Sequence, residues 1–187
     1  MITTTEKEDE IIIERKIGNL TIAKLTISKE IGNDKETIER IIEQLKKENE
    51  QKEEKIRKLL ATLRLIGETE TTEKNIIVRT KNMETTIKLA TIKFNSPNSF
   101  IKEYTTLTEG AEINFKPLKY SNLIKKKIGI TPHITSFATL HDIEKIGLKI
   151  LSMEEKVEQL KKKIEKILSV TDEIIEKTEE ITEKTEE

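Results

Sequence analysis

The chain has 187 residues, of which 34 are Lys or Arg and 35 are Asp or Glu, so its net charge is only -1. Apolar residues make up 34% and aromatic residues 3%, below the roughly 45 to 50% apolar share of ordinary domains, which argues against a large globular core. The absence of Cys excludes disulfides, thiolate metal sites, Cys nucleophiles and iron-sulfur clusters.

Residues 1–32 are predicted to form an N-terminal β-hairpin. Two apolar runs, Glu10–Ile17 and Leu20–Ser28, flank Gly18-Asn19, and Gly at the first central position fits a type II′ turn. The segment Met1–Glu10 has neither the basic start nor the apolar stretch of an export signal, and no run approaches the roughly 20 apolar residues of a membrane span. We therefore expect a cytoplasmic protein or a virion component without a membrane span.

Residues 33–67 are predicted to form a first long helix. Asn33 offers an N-cap acceptor with the acid Glu36 three residues on, and Gly67 offers a C-cap. Between them a heptad pattern runs through Ile38, Ile42, Leu45, Asn49, Lys52, Ile56, Leu59, Leu63 and Ile66. A buried Asn at an a position fixes the alignment of a coiled coil, so Asn49 is a candidate register determinant, the alternative being a solvated mid-section in which Lys52 reaches water.

Residues 68–137 are predicted to form a β-rich module and a connection. Runs rich in Thr, Ile and Val favour four strands, separated at 81–83, 95–99 and 109–111 by residues typical of turns. The predicted arrangement is a meander or two hairpins. The segment from Lys119 to Phe137 is interpreted as a connection.

Residues 138–187 are predicted to form a C-terminal coiled coil. Thr139 with Asp142 fits a capping box, and apolar or Thr residues then alternate three and four apart. The resulting candidate oligomerisation residues are Ile143, Ile146, Ile150, Met153, Val157, Leu160, Ile164, Ile167, Thr171, Ile174, Thr178 and Ile181. Because Ile occupies most a and d positions, a parallel trimer is favoured over a parallel dimer. The alternative is that this helix folds back on the first helix of the same chain.

Catalytic and metal chemistry find little support in the sequence. The two His residues, His133 and His141, are eight apart and lack a third ligand in register. No HExxH, GxSxG or phosphate-binding Gly-rich loop occurs. We therefore expect no enzyme activity, no metal and no cofactor.

A DNA-binding regulator dimerised by the coil is one alternative. Leu25 to Gly32 followed by Lys35 to Leu45 resembles a helix-turn-helix, and Lys24 to Ser28 followed by two helices resembles a ribbon-helix-helix protein with its turn at Asn49 to Gln51. However, Met1 to Ile66 contains 14 basic and 14 acidic residues, whereas phosphate binding needs an uncompensated basic face. Nucleic acid is therefore not the expected partner.

The sequence as a whole predicts an elongated α+β protein, with two long heptad-patterned helices flanking a small antiparallel β-rich module. Its layout resembles fibre, spike and connector proteins of viruses and phages, which implies a structural role. The expected partners are further copies of the chain through the coil and other proteins through the β-rich module. Two long helices flanking β-hairpins also resemble prefoldin subunits, which implies a holdase as a further alternative.

The abundance of Lys, Glu and Ile is typical of proteins from hot environments and of A+T-rich genes.

Overall fold

The computed structural model describes residues 1–30, 34–95, 101–118, 134–139 and 142–186. Its helices are α1 (Lys35–Ile66) and α2 (Ile143–Glu186). Its strands are β1 (Ile2–Glu6), β2 (Glu10–Ile17), β3 (Leu20–Ser28), β4 (Glu68–Thr71), β5 (Asn75–Arg79), β6 (Met83–Asn95), β7 (Ile101–Pro117) and β8 (Ile134–Thr139). The predicted α+β class, with an antiparallel sheet and two long helices, is confirmed.

The described strands form one eight-stranded sheet in the order β1-β2-β3-β7-β6-β5-β4, with β8 paired to β7. All pairings are antiparallel. The long strand β7 pairs along one edge with β3 through residues 101–106 and with β8 through residues 110–115. The N-terminal strands and the β-rich module, which were predicted as separate segments, are therefore parts of the same sheet.

The predicted turn at 109–111 is wrong, because β7 continues through it. Gly110 instead lies beside an irregularity in the β6 to β7 pairing, where the register shifts between Leu89 and Thr91. The Thr108 hydroxyl accepts a hydrogen bond from the Gly110 amide and donates one to the Ala90 carbonyl. A bulge disrupts the ladder locally without ending the strand, so β7 continues on both sides of Gly110.

Helix α1 begins and ends close to the predicted residues. The N-cap is Asp34, one residue after the predicted Asn33. Its carboxylate accepts hydrogen bonds from the Thr37 hydroxyl and from the Glu36 and Thr37 amides, and these bonds, that of the hydroxyl above all, lower the pKa of Asp34. At the other end, a Cβ on Gly67 would collide with the Arg79 carbonyl. Gly is therefore required here by close approach of β5 and not by a left-handed backbone conformation.

The core lies between α1 and one face of the sheet and consists of two apolar clusters. The larger cluster joins Ile56, Leu59 and Leu63 of α1 to strands β2, β3 and β5 to β7 and to the first turns of α2. The smaller cluster joins Leu45 to strands β2 and β3. The apolar positions of α1 that suggested a coiled-coil seam therefore face the sheet of the same chain.

The described residues of the N-terminal region form neither DNA-binding arrangement. Leu25 to Ser28 belong to strand β3 and are not a first helix, as a helix-turn-helix would require. Helix α1 runs without a break through Asn49 to Gln51, so the second helix of a ribbon-helix-helix is also missing from the described residues 35–66. The alternating pattern of β3, buried on one face and partly buried on the other, explains why a strand forms there.

Candidate self-association surface

The first four turns of α2 pack on the sheet and α1 of the same chain, which we together call the body. Ile146 and Ile150 are fully buried in the larger apolar cluster, and Met153 and Val157 pack against it. A Cβ on Gly147 would lie 3.1 Å from Thr62 Cγ2, so the two helices cross closely here. These four candidate oligomerisation residues are thus already covered within the chain, while the side chain of Ile143 lies outside the described part.

Two carboxylates of α2 then accept hydrogen bonds from the turn between β5 and β6. Glu154 accepts hydrogen bonds from the Thr80 hydroxyl at 2.6 Å and from the Asn82 amide at 3.0 Å. One turn later, the Asn82 side-chain amide donates to Glu158 at 2.5 Å, and this bond lowers the pKa of Glu158. Sequence reasoning missed this contact, because acids spaced four apart on a charged helix also occur on solvated faces.

Beyond Glu158 the helix leaves the body. No described side chain between Gln159 and Thr182 is buried, and Leu160, Ile167 and Ile174 are 50%, 65% and 59% exposed. Residues 159–186 would span about 42 Å at about 1.5 Å per residue. We call the a and d positions of this segment the distal stripe, which consists of Leu160, Ile164, Ile167, Thr171, Ile174, Thr178 and Ile181.

The stripe is wider than its a and d positions alone. Leu168 and Ile175 follow d positions, and Val170 precedes an a position, so apolar side chains flank the stripe on both sides near its middle. The hydroxyls of Thr171 and Thr178 donate to the carbonyls four residues earlier, Ile167 and Ile174, at 2.9 and 2.7 Å. Because those polar atoms are satisfied within the helix, the Thr methyl groups can pack against an apolar partner.

Charge is distributed unevenly along the same segment. Residues 159–170 contain four Lys and one Glu, whereas residues 171–182 contain five acidic residues and one Lys. The half next to the body is therefore basic and the far half acidic. Whole-chain composition conceals this polarity, because the two halves cancel.

Asn49, the predicted register determinant, is fully buried against the sheet of its own chain. Its side-chain amide donates to the Leu45 carbonyl at 3.0 Å, and the Thr106 hydroxyl donates to its carbonyl oxygen at 3.3 Å. Lys52, the second polar interruption, donates to the Leu107 carbonyl at 2.6 Å. Both residues thus bind strand β7 and not a second helix.

Beside them lies a buried Arg that sequence reasoning did not single out. Arg15 donates to Glu53 at 2.7 Å and to the carbonyls of Leu45 and Lys46 at 3.1 and 2.8 Å. Burial tends to raise the pKa of Glu53, but hydrogen bonds from Arg57 and Arg15 outweigh it, so the pKa is lowered. In the alternation of β2, Arg15 falls on the same face as Ile11, Ile13 and Ile17, and this position is the signal that could have indicated the contact.

No other chemistry stands out in the part of the chain that is described. It contains no group of three or more His, Asp or Glu side chains that could hold a metal ion. His133 and His141 lie outside it. Within the same residues, neither helix combines the length and the apolar character that crossing a membrane would require.

Comparison with protein-family models, with curated proteins and with solved structures found no match to this chain.

Proposed function

We propose that the chain is a non-catalytic structural protein whose sheet is a contact module and whose distal stripe binds further copies of the same chain. The observation that carries this proposal is the continuity of the heptad series. The same a and d positions that are buried at Ile146 and Ile150 continue beyond Glu158 as exposed Leu and Ile residues. One uninterrupted spacing thus serves the core of the chain first and a separate surface afterwards.

The energetics of the projecting helix support this proposal. Apolar area removed from water contributes about 25 cal/mol per Å², and a soluble monomer rarely exposes a long contiguous apolar stripe. A helical segment that lacks tertiary contacts is also marginally stable in water, since most helix stability comes from packing of an amphipathic face. Association of copies through the distal stripe would bury the apolar side chains and stabilise the helix at the same time.

The face of the sheet that points away from α1 supports a polar contact module. It carries hydrogen-bonded polar side chains, such as Thr135 to Asn114 at 2.8 Å and Asn114 to Glu112 at 3.0 Å. Arg79 forms ion pairs of 3.1 Å with both Glu70 and Glu84 on neighbouring strands. A partner protein on this face would be recognised by hydrogen bonds and charge more than by apolar burial.

The test is the molar mass in solution of the full chain and two variants. We expect the wild type to be larger than 21.6 kDa at micromolar concentration by light scattering. Ile174→Glu should return it to the monomer, because a carboxylate would enter the apolar seam. Ser169→Glu, the matched control, adds the same charge on the opposite side of the helix and should leave the mass unchanged.

A wild-type chain that stays monomeric at high micromolar concentration would overturn self-association. If such a monomer also suppressed the aggregation of an unfolded client, and Ile174→Glu abolished that effect, the stripe would belong to a holdase.

A further inference from the structure

From the geometry we infer that the second copy lies antiparallel on the distal stripe, so that the two bodies are at opposite ends of a shared two-helix segment. This inference rests on the proposed self-association and deepens it by giving the orientation of the partner. It differs from the parallel trimer expected from the residue types at a and d. The reasons are the position of the body, the order of the Thr residues and the charge of the two halves.

The body blocks a parallel partner. The side of α2 that carries Ile150 and Val157 is covered by α1 and β6 of the same chain, and the helix is continuous into the distal stripe. A heptad series rotates by only about 20° per seven residues on a straight helix, so Ile164 points to nearly the same side. A parallel partner would therefore continue along this side into the body, and each body would occupy the place of the other.

An antiparallel partner avoids this overlap, because it brings the far half of its helix to the near half of the first. The two bodies then lie beyond the two ends of the paired segment. No bend in α2 is required, in agreement with its unbroken helix from Ile143 to Glu186.

The order of the seam residues favours the same arrangement. In a parallel pairing, equal positions meet, so Thr171 and Thr178 would form two Thr to Thr layers with one Ile174 layer between them. In an antiparallel pairing an a position meets a d position of the second copy. With Ile167 facing Thr178, Thr171 faces Ile174 and Ile164 faces Ile181, so every layer from Ile164 to Ile181 contains at least one Ile. Leu168 then lies beside Ile175 of the second copy and widens the apolar contact.

Charge favours it as well. A parallel partner would place the basic half beside a basic half and the acidic half beside an acidic half, whereas an antiparallel partner places Lys-rich residues 159–170 beside acidic residues 171–182. One like-charge pair remains in the register described, between Lys163 and Lys184. Both side chains are exposed, so dissolved salt, which screens exposed charges over roughly 8 to 10 Å, weakens that repulsion.

Disulfide trapping tests the orientation, because the chain has no Cys of its own. Ile167→Cys and Thr178→Cys are prepared as separate full-length chains, one with a mass tag, then mixed and oxidised. Antiparallel pairing brings the two different cysteines together, while equal cysteines stay about 16 Å apart, beyond the roughly 7 Å Cα distance that a disulfide tolerates. The expected product is the mixed dimer, at least tenfold over either homodimer. Lys162→Cys with Glu176→Cys, on the outer side of the helix, is the matched control.

A second measurement does not depend on seam substitutions. A spin label on Lys81→Cys reports the exposed turn to which Glu154 is fastened. Along the axis of the paired helices, the two labels should be separated by roughly 50 Å in the antiparallel assembly. In a parallel assembly their separation along this axis should be close to zero. Homodimers from each single variant, or labels at the same level, would overturn the antiparallel orientation while leaving self-association intact. A monomeric mass for the unsubstituted chain would overturn both.

Discussion

Polar residues in the middle of α1 hold the helix at one position on the sheet. Arg15 of β2 donates to the carbonyls of Leu45 and Lys46 in α1. In the opposite direction, Asn49 accepts from the Thr106 hydroxyl of β7, and Lys52 donates to the Leu107 carbonyl of β7. A buried donor that loses its acceptor costs roughly 1 to 3 kcal/mol, so sliding α1 by one turn would break several such bonds at once. The apolar residues supply most of the burial, and the polar layer specifies the alignment.

Substitution of Arg15 tests this role. Arg15→Met keeps the length of the side chain but removes three hydrogen bonds, and we expect a loss of about 2 to 3 kcal/mol in the free energy of unfolding, since bonds to charged groups contribute roughly 1.5 to 3 kcal/mol. Arg57→Met, the control, removes the exposed partner of Glu53 and should cost less than about 1 kcal/mol. Urea unfolding monitored by circular dichroism measures both. Equal losses for the two variants would show that the buried bonds of Arg15 have no special weight.

The sequence could reveal the polar positions in α1 but not their partners. Asn49 and Lys52 interrupt a heptad series, and such interruptions suit a coiled coil, a solvated stretch or a polar contact with a sheet equally well. The residues that decide between these alternatives are Arg15 and Thr106, which lie 34 and 57 positions from Asn49 in the sequence. No local pattern connects them, because their contact depends on the pairing of β3 with β7.

At the level of elements, α2 consists of two parts that share one spacing but lie in different surroundings. Its first turns complete the core, and its later turns form the distal stripe. A substitution in the first part should therefore change the free energy of unfolding, and an equivalent substitution in the second part should change self-association.

The comparison of Ile150→Ala with Ile174→Ala makes this measurable. Ile150 is fully buried, so its truncation should lower the free energy of unfolding of the body by about 2 to 5 kcal/mol. Ile174 is exposed in the single chain, so Ile174→Ala should leave the body unchanged and weaken self-association at least fivefold. Thermal unfolding at a protein concentration below the dissociation constant measures the stability of the body. Light scattering over a dilution series measures self-association, so the two effects are separated. The same response from both variants would contradict the division of α2.

Some strands could be predicted and others could not, for physical reasons. Strands β2, β5 and β6 carry apolar side chains on the face that is buried, which is the signal that sequence patterns report. The edge strands β1 (ITTTE) and β4 (ETET) have little apolar content and are half-buried or exposed along their length. They form because neighbouring strands offer backbone hydrogen bonds, which a local pattern does not record.

At the scale of the whole molecule, the antiparallel assembly would be a rod with a contact module at each end. Two bodies held about 50 Å apart suit a connector that bridges two partners, whereas a parallel bundle would present its modules side by side. The residue types at a and d favour a parallel trimer, but they carry no information about the body, which covers the first four turns of α2.

Salt dependence provides a final test at this scale, and the two orientations give opposite signs. In the antiparallel assembly a basic segment faces an acidic one, so raising the ionic strength from about 0.05 to 0.5 M should screen the attraction and increase the dissociation constant about threefold or more. In a parallel assembly the same salt would relieve repulsion between equal halves and tighten binding. Sedimentation equilibrium measures the constant at each salt concentration. The double substitution Lys162→Gln and Lys166→Gln, which spares the stripe, should flatten the dependence, because it removes half of the four Lys in the basic segment.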